Sequence, residues 1–185
     1  MPPELLILGL GNDILTDDAV GLRVVRGLQT ELADRPAIAL QETTEMGLAL
    51  LDYLTGYPAA FIVDSIQTGH AEPGFIHELD ASSLRQLTGG TPHFLGVGET
   101  LALGGLLGLP MPGVVKIFAI EAQDPFTLST RMTPALEGAL PHLIESLARA
   151  AHLWLKRGGD GFVPASSCHG QEVPIPNRPL APSAQ

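Results

Sequence analysis

A chain of 185 residues, 45% of them apolar, is long enough for one well-filled domain, and none of its apolar runs approaches the roughly 20 residues of a membrane span. Ten basic against twenty acidic residues give a net charge of −10, which argues against nucleic acid, whose phosphates need Lys and Arg to neutralise them. A single cysteine, Cys168, excludes an internal disulfide. With no basic region ahead of the first apolar run, it predicts a cytoplasmic protein.

Glu4 to Leu10 reads as a buried strand, a short continuous apolar run ended by glycine. Ala19 to Leu32 follows as a helix, with Val20, Val24, Leu28 and Leu32 recurring every four residues and Asp17 or Asp18 as its expected N-cap. Ala37 to Thr43 is a second strand, Met46 to Leu54 a short helix, and Ala59 to Ile66 a third strand ending in Asp64 and Ser65. Phe75 to Leu79 reads as a further strand, Gly98 to Leu107 as a helix weakened by Gly104 and Gly105, and Val114 to Ile120 as a strong strand. The last helix starts at Thr133, with Pro134 in the first helical position, and runs to about Lys156. Strands alternating with helices predict an α/β, three-layer sandwich: a mainly parallel, twisted sheet with helices on both faces. Residues 1–157 form the expected single domain. Residues 158–185, rich in Gly, Pro and Ser and without apolar periodicity, form an expected mobile tail. The tail holds Cys168 and His169, an adjacent pair read as incidental.

The chemistry concentrates where Leu5 to Gly21, LLILGLGNDILTDDAVG, turns from strand to helix. Gly9-x-Gly11 after a strand suggests a dinucleotide fingerprint, but Ile14 occupies the place of the third glycine. Asp17 and Asp18 follow where a pyrophosphate needs amide donors, so electrostatics argues against a nucleotide. Asp18, Asp64 and His93 make a better constellation, each at or near the end of a predicted strand. In a parallel sheet such ends share one edge, where open α/β sheets place their active sites. Two carboxylates and an imidazole suit a borderline divalent ion such as nickel or zinc, with water in the open positions. Taken singly, Asp18 is equally a helix cap and Asp64 equally a loop hydrogen-bond acceptor, while His93 reads first as a loop histidine. The functional reading comes from the combination. His70, His77, His142, His152 and His169 receive no site role.

The succession ILGLGNDILTDDAVGLRVV, FIVDSI and PHFLG resembles the hydrogenase maturation endopeptidases, a family of single-domain α/β proteases, over roughly Leu5 to Ala150. The resemblance implies an endopeptidase that clips a C-terminal extension from a nickel-iron hydrogenase large-subunit precursor once nickel is in place. It implies that Asp18, Asp64 and His93 contact a metal, with nickel carried by the substrate as the recognition element and other divalent ions able to occupy the site. Many members carry a glycine-rich D-G-G-T segment after the second strand. Here it reads Gln41-Glu42-Thr43-Thr44, followed by Glu45-Met46-Gly47, with Thr44 as a candidate helix cap. Glu42, Glu45, Glu121 and Asp124 are second-tier candidates near the same cleft.

No serine–histidine–acid arrangement is recognisable, and Ser65 lacks the glycine elbow of a nucleophile. The expected mechanism is therefore metal-assisted attack by water, in an atypical, aspartic-type endopeptidase. One carboxylate of the three-residue set takes a proton. Two other readings stay open: a non-catalytic module that binds the large subunit's metallocentre, and an unrelated metal-dependent α/β peptidase or amidase.

Overall fold

A computed structural model describes residues 2–80 and 92–158, without the side chains of Asp80 and residues 92–95. Its elements, in chain order, are β1 (Leu5–Leu10), α1 (Val20–Glu31), β2 (Ile38–Thr43), a 3-10 turn (Gly47–Ala49) running into α2 (Leu50–Leu54), β3 (Ala59–Ile66), β4 (Ile76–Asp80), α3 (Pro92–Leu106), β5 (Val114–Glu121) and α4 (Pro134–Lys156). The five strands form one sheet in the order β2-β1-β3-β5-β4. The first four are parallel, and β4 joins the β5 edge antiparallel. The expected α/β sandwich with helices on both faces is the fold observed.

Side-chain alternation along the strands splits the core in two. Leu5, Ile7, Phe61, Val63, Phe118 and Ile120 face α1 and α4, where they meet Val24, Leu28, Leu143 and Trp154. Leu6, Leu8, Ala60, Ile62, Ile117 and Ala119 face the other way, against Leu50 and Leu54 of α2 and Val97 of α3. Burial on both faces makes the central strands continuous apolar runs, and β1 and β3 are buried along their whole length. Phe61 is the hinge of the first cluster, its ring 5.1 Å from Phe118 and 6.4 Å from Trp154.

β3 spans the residues expected, and most other boundaries shift by one or two positions. The exception is α3, which begins at Pro92 rather than Gly98. Proline in the first turn lacks only an N–H that would have no helical partner, so a residue that reads as loop punctuation opens the helix. His93 therefore lies in the first turn of α3, not in a loop. Gly158 ends the described chain, and the rest of the expected tail, with Cys168 and His169, lies outside the described residues.

Candidate active site at the carboxyl edge of the sheet

β1 ends in a turn that only glycine fits easily. Gly11 has φ 144°, and a Cβ there would collide with the carbonyl oxygen of Asp18. Two residues into α1, a Cβ on Gly21 would strike the carbonyl oxygens of Leu10 and Val63. Bare glycine thus lets the helix start press onto the ends of β1 and β3, and that approach carries Asp17 and Asp18 to the sheet edge.

The two carboxylates do different work, and neither caps α1. The N-cap is Ala19, with no side-chain cap bond. Asp17 is buried and points toward the β5–α4 loop. Its Oδ2 accepts from the N–H groups of Gln123 (3.0 Å) and Asp124 (2.9 Å) and from the Thr133 hydroxyl (3.0 Å). Its Oδ1 accepts from the Thr133 N–H at 2.8 Å. A buried carboxylate with four donors is a tie between chain segments. The tie is reinforced where Leu15 bridges Leu128 and the Thr16 N–H donates to the Thr127 carbonyl. Thr133 is the N-cap of α4, as expected, but its hydroxyl serves Asp17 rather than its own helix.

Asp18 turns the other way. Its Oδ1 accepts a 2.8 Å hydrogen bond from the Ser65 hydroxyl, and both residues are buried. Ser65 directly follows Asp64, whose Oδ1 accepts the Ser65 N–H at 2.8 Å. Two of the three predicted metal-contacting residues are thereby brought to one point of the edge with Ser65 between them. The side chain of His93 lies outside the described residues, and among the described residues no group of three His, Cys, Asp or Glu converges as a metal cage. Carboxylate oxygens joined by one imidazole are the donor set that a borderline divalent ion takes. Asp18 and Asp64 supply two carboxylates of that donor type, each hydrogen-bonded to Ser65.

A second polar group at this edge joins Glu121, one of the second-tier candidates, to His77, to which the sequence reading assigns no site role. Glu121 ends β5 with its side chain 2% exposed. Its Oε1 accepts from the N–H groups of Thr68 and Gly69, both at 2.8 Å. Its Oε2 takes the Thr68 hydroxyl at 2.7 Å and His77 Nε2 at 2.9 Å. Burial alone would raise its pKa, but these donors outweigh it and hold the carboxyl below the ordinary glutamate value. His77 is 25% exposed, stands edge-on to the Phe75 ring at 4.9 Å, and lines an open depression with Gly69, His70, Ala71 and Glu72. Ala119 of β5 is the register partner of both Asp64 and His77, so these two residues flank it in one row on one face. The clue in the sequence is the alternation of β4, which puts His77 on the same side as core-facing Leu79.

The second-tier candidates divide. Glu42 pairs with Arg26 Nε at 2.7 Å, and the same guanidinium holds Asp13 through two nitrogens. This clamps the β1–α1 loop to the end of β2. Glu45 is exposed, and its N–H donates to the Thr43 hydroxyl. Thr44 caps nothing, because Met46 is the N-cap of the 3-10 turn. Asp124 folds its own loop: hydrogen bonds from Thr127 and Phe126 hold its pKa down.

Fold and edge together define a doubly wound α/β protein with acidic groups gathered at the carboxyl ends of its parallel strands. No family model matches the chain. It is similar to the hydrogenase expression/formation protein HupD of Thiocapsa roseopersicina, 27% identical over 154 residues, covering 77% of this chain and 69% of the relative. It is likewise similar to the hydrogenase 2 maturation protease of Escherichia coli, 28% identical over 155 residues, covering 77% and 92%. Among solved structures, the hydrogenase maturating endopeptidase HybD of Escherichia coli superposes with a TM-score of 0.64 at 22% identity, over 86% of this chain and 94% of that one. The Thermococcus kodakarensis [NiFe] hydrogenase maturation protease HybD gives 0.58, also at 22% identity, over 82% and 99%. The resemblance read from the motifs is borne out as a likeness: the chain is similar in sequence to proteins named for hydrogenase formation and maturation, and it shares the fold of a hydrogenase maturating endopeptidase.

Proposed function

We propose that this protein is a cytoplasmic endopeptidase that removes the C-terminal extension of a nickel-iron hydrogenase large-subunit precursor after nickel insertion. The observation that carries the reading is the joining of Asp18 to Ser65, beside Asp64, at the carboxyl edge of the sheet. It occurs in a chain whose relatives are named for hydrogenase maturation. The single cysteine supports the cytoplasmic assignment. No helix among the described residues is long and apolar enough to cross a membrane.

In this reading nickel arrives in the precursor, and Asp18, Asp64 and His93 meet it there, so that only a loaded substrate is held for cleavage. Held between the seated substrate and Asp18, Asp64 and His93, such an ion would supply Lewis-acid polarisation for peptide hydrolysis. The chain's own residues orient the substrate. Asp18 is fixed by Ser65, and Asp64 by the Ser65 amide. The Asp17 tie keeps the β1–α1 loop from swinging off the edge.

The test is processing of the nickel-loaded precursor by the wild type and by Asp18→Ala, Asp64→Ala and His93→Ala, read by intact mass. The reading predicts release of one C-terminal peptide by the wild type and none by the variants. A variant that cleaves at the wild-type rate removes that residue from the set. Binding by the wild type without any mass change supports the non-catalytic metallocentre-binding module instead.

A further inference from the structure

We propose that Ile14, Phe126 and Leu128 form a rigid apolar contact surface beside Asp18, and that it receives an apolar patch of the large-subunit precursor bordering its nickel. This rests on the endopeptidase reading and adds to it the surface that grips the substrate.

The three side chains stand out by their exposure: Ile14 is 57%, Phe126 71% and Leu128 76% exposed. Single apolar side chains in water need no explanation, whereas a group of them marks a contact site. Backbone hydrogen bonds make these a group. Ile14 lies on the β1–α1 loop, and Phe126 and Leu128 lie on the β5–α4 loop. Leu15 bridges Leu128, the Ile14 carbonyl accepts the Ser129 N–H at 3.1 Å, and the Thr127 carbonyl accepts both the N–H and the hydroxyl of Thr16.

The same two loops are held from beneath by Asp17, and Asp124 Oδ1 accepts the N–H groups of Phe126 and Thr127. A surface fixed in this way orders little chain when a partner arrives, so more of the contact energy goes into binding. Its border is charged. The half-exposed Arg23 spans the two loops, with Nη2 donating to the Thr130 carbonyl at 3.1 Å and Nε 3.9 Å from Asp13. An apolar centre with a polar, arginine-bearing rim is the anatomy of a protein–protein contact.

Position and size together select the occupant. Thr16, joined to Thr127, is two residues ahead of Asp18, at most about 7 Å along the chain. When the precursor's nickel meets Asp18, the chain around that nickel faces this surface as well. Three such side chains present on the order of a few hundred Å² of apolar area. Obligate homodimers bury about 2,000 Å² or more, so the surface is small for a permanent contact with a second copy. It suits a partner that must leave after each cut, gripped by a few dominant side chains.

The experiment titrates nickel-loaded precursor against the wild type, Phe126→Ala, Leu128→Ala, their double variant and a control, Leu106→Ala with Leu107→Ala. Cleavage is read in single turnover, binding by calorimetric titration, self-association by sedimentation and folding by thermal unfolding. Leu106 and Leu107 are also exposed, but they end α3 ahead of β5, at the opposite edge of the sheet. Each single variant at the surface is expected to raise the precursor concentration for half-maximal rate about 10-fold, and the double variant more. The rate at saturating precursor should fall far less, as expected for lost binding rather than lost chemistry. The control pair should bind and cleave as the wild type does, and no variant should melt early. A double variant that binds and cleaves like the wild type overturns the proposal and leaves the endopeptidase reading standing. Tighter binding by the double variant would mean that a segment of this chain covers the surface, and a wild-type dimer that the double variant dissolves would make a second copy the occupant; either overturns it. A wild type that binds but does not cut overturns the endopeptidase reading alone, because the binding titrations still test the surface. A wild type that does neither overturns both.

Discussion

Replacing Asp17 by Ala separates the two neighbouring carboxylates most sharply. Asp17 is fully buried, and its side chain accepts from three backbone N–H groups and one hydroxyl. Each hydrogen bond to a charged group contributes about 1.5–3 kcal/mol. The four are not additive, because the Thr133 hydroxyl can turn to water once its acceptor is gone. The three amides have less freedom, and leaving them unpaired costs about 3–5 kcal/mol in all. At roughly 2–4 °C per kcal/mol for a chain of this size, the melting temperature falls by about 10 °C. Asp17→Asn keeps one acceptor oxygen, which serves the three-donor side while its NH2 faces the Thr133 amide, so about half of that loss is expected. Calorimetry of the two variants beside the wild type measures both numbers. An Asp17→Ala protein that melts within about 2 °C of the wild type would refute the reading of Asp17 as the tie between the β1–α1 loop and α4.

Asp18→Ala, one residue on, loses only the Ser65 hydrogen bond. It should cost about 1.5–3 kcal/mol of stability, less than Asp17→Ala, while abolishing precursor processing, which unfolding and cleavage assays separate. Phe61→Ala removes a fully buried ring packed on Phe118 and Trp154 and should cost about 3–5 kcal/mol in a denaturant titration. Glu121 sets a pH dependence. Its folded pKa lies below the unfolded value, so its stabilisation is fully present above the ordinary glutamate range and is lost as pH falls through the folded value. The stability difference between wild type and Glu121→Gln should therefore shrink on acidification; a difference that is flat with pH would show the carboxylate's charge to be idle.

The sheet was legible because β1, β3 and β5 are apolar on both faces and carry their signal in a few consecutive residues. The edge was legible because strand ends in a parallel sheet must share it, and Asp18 and Asp64 sit at two of them. Asp17 was not, since a carboxylate ahead of a helix reads as a cap, and its true partners lie more than 100 residues away. The same distance problem hid the His77–Glu121 pair, 44 residues apart and joined only when β4 pairs antiparallel with β5. Thr133 was placed correctly as a cap, yet its hydroxyl went to a stronger, charged acceptor. Pro92 misled because proline marks both loops and first helical turns, and the sequence alone does not weigh one against the other.

The central claim is a metal-checked cut in a large-subunit precursor. Its most direct test is intact-mass analysis of nickel-loaded and nickel-free precursor, each incubated with this protein. The account predicts loss of a single C-terminal peptide from the loaded form and no change in the empty one. Equal cleavage of both forms would contradict the metal check, and an unchanged mass in both would contradict the peptidase.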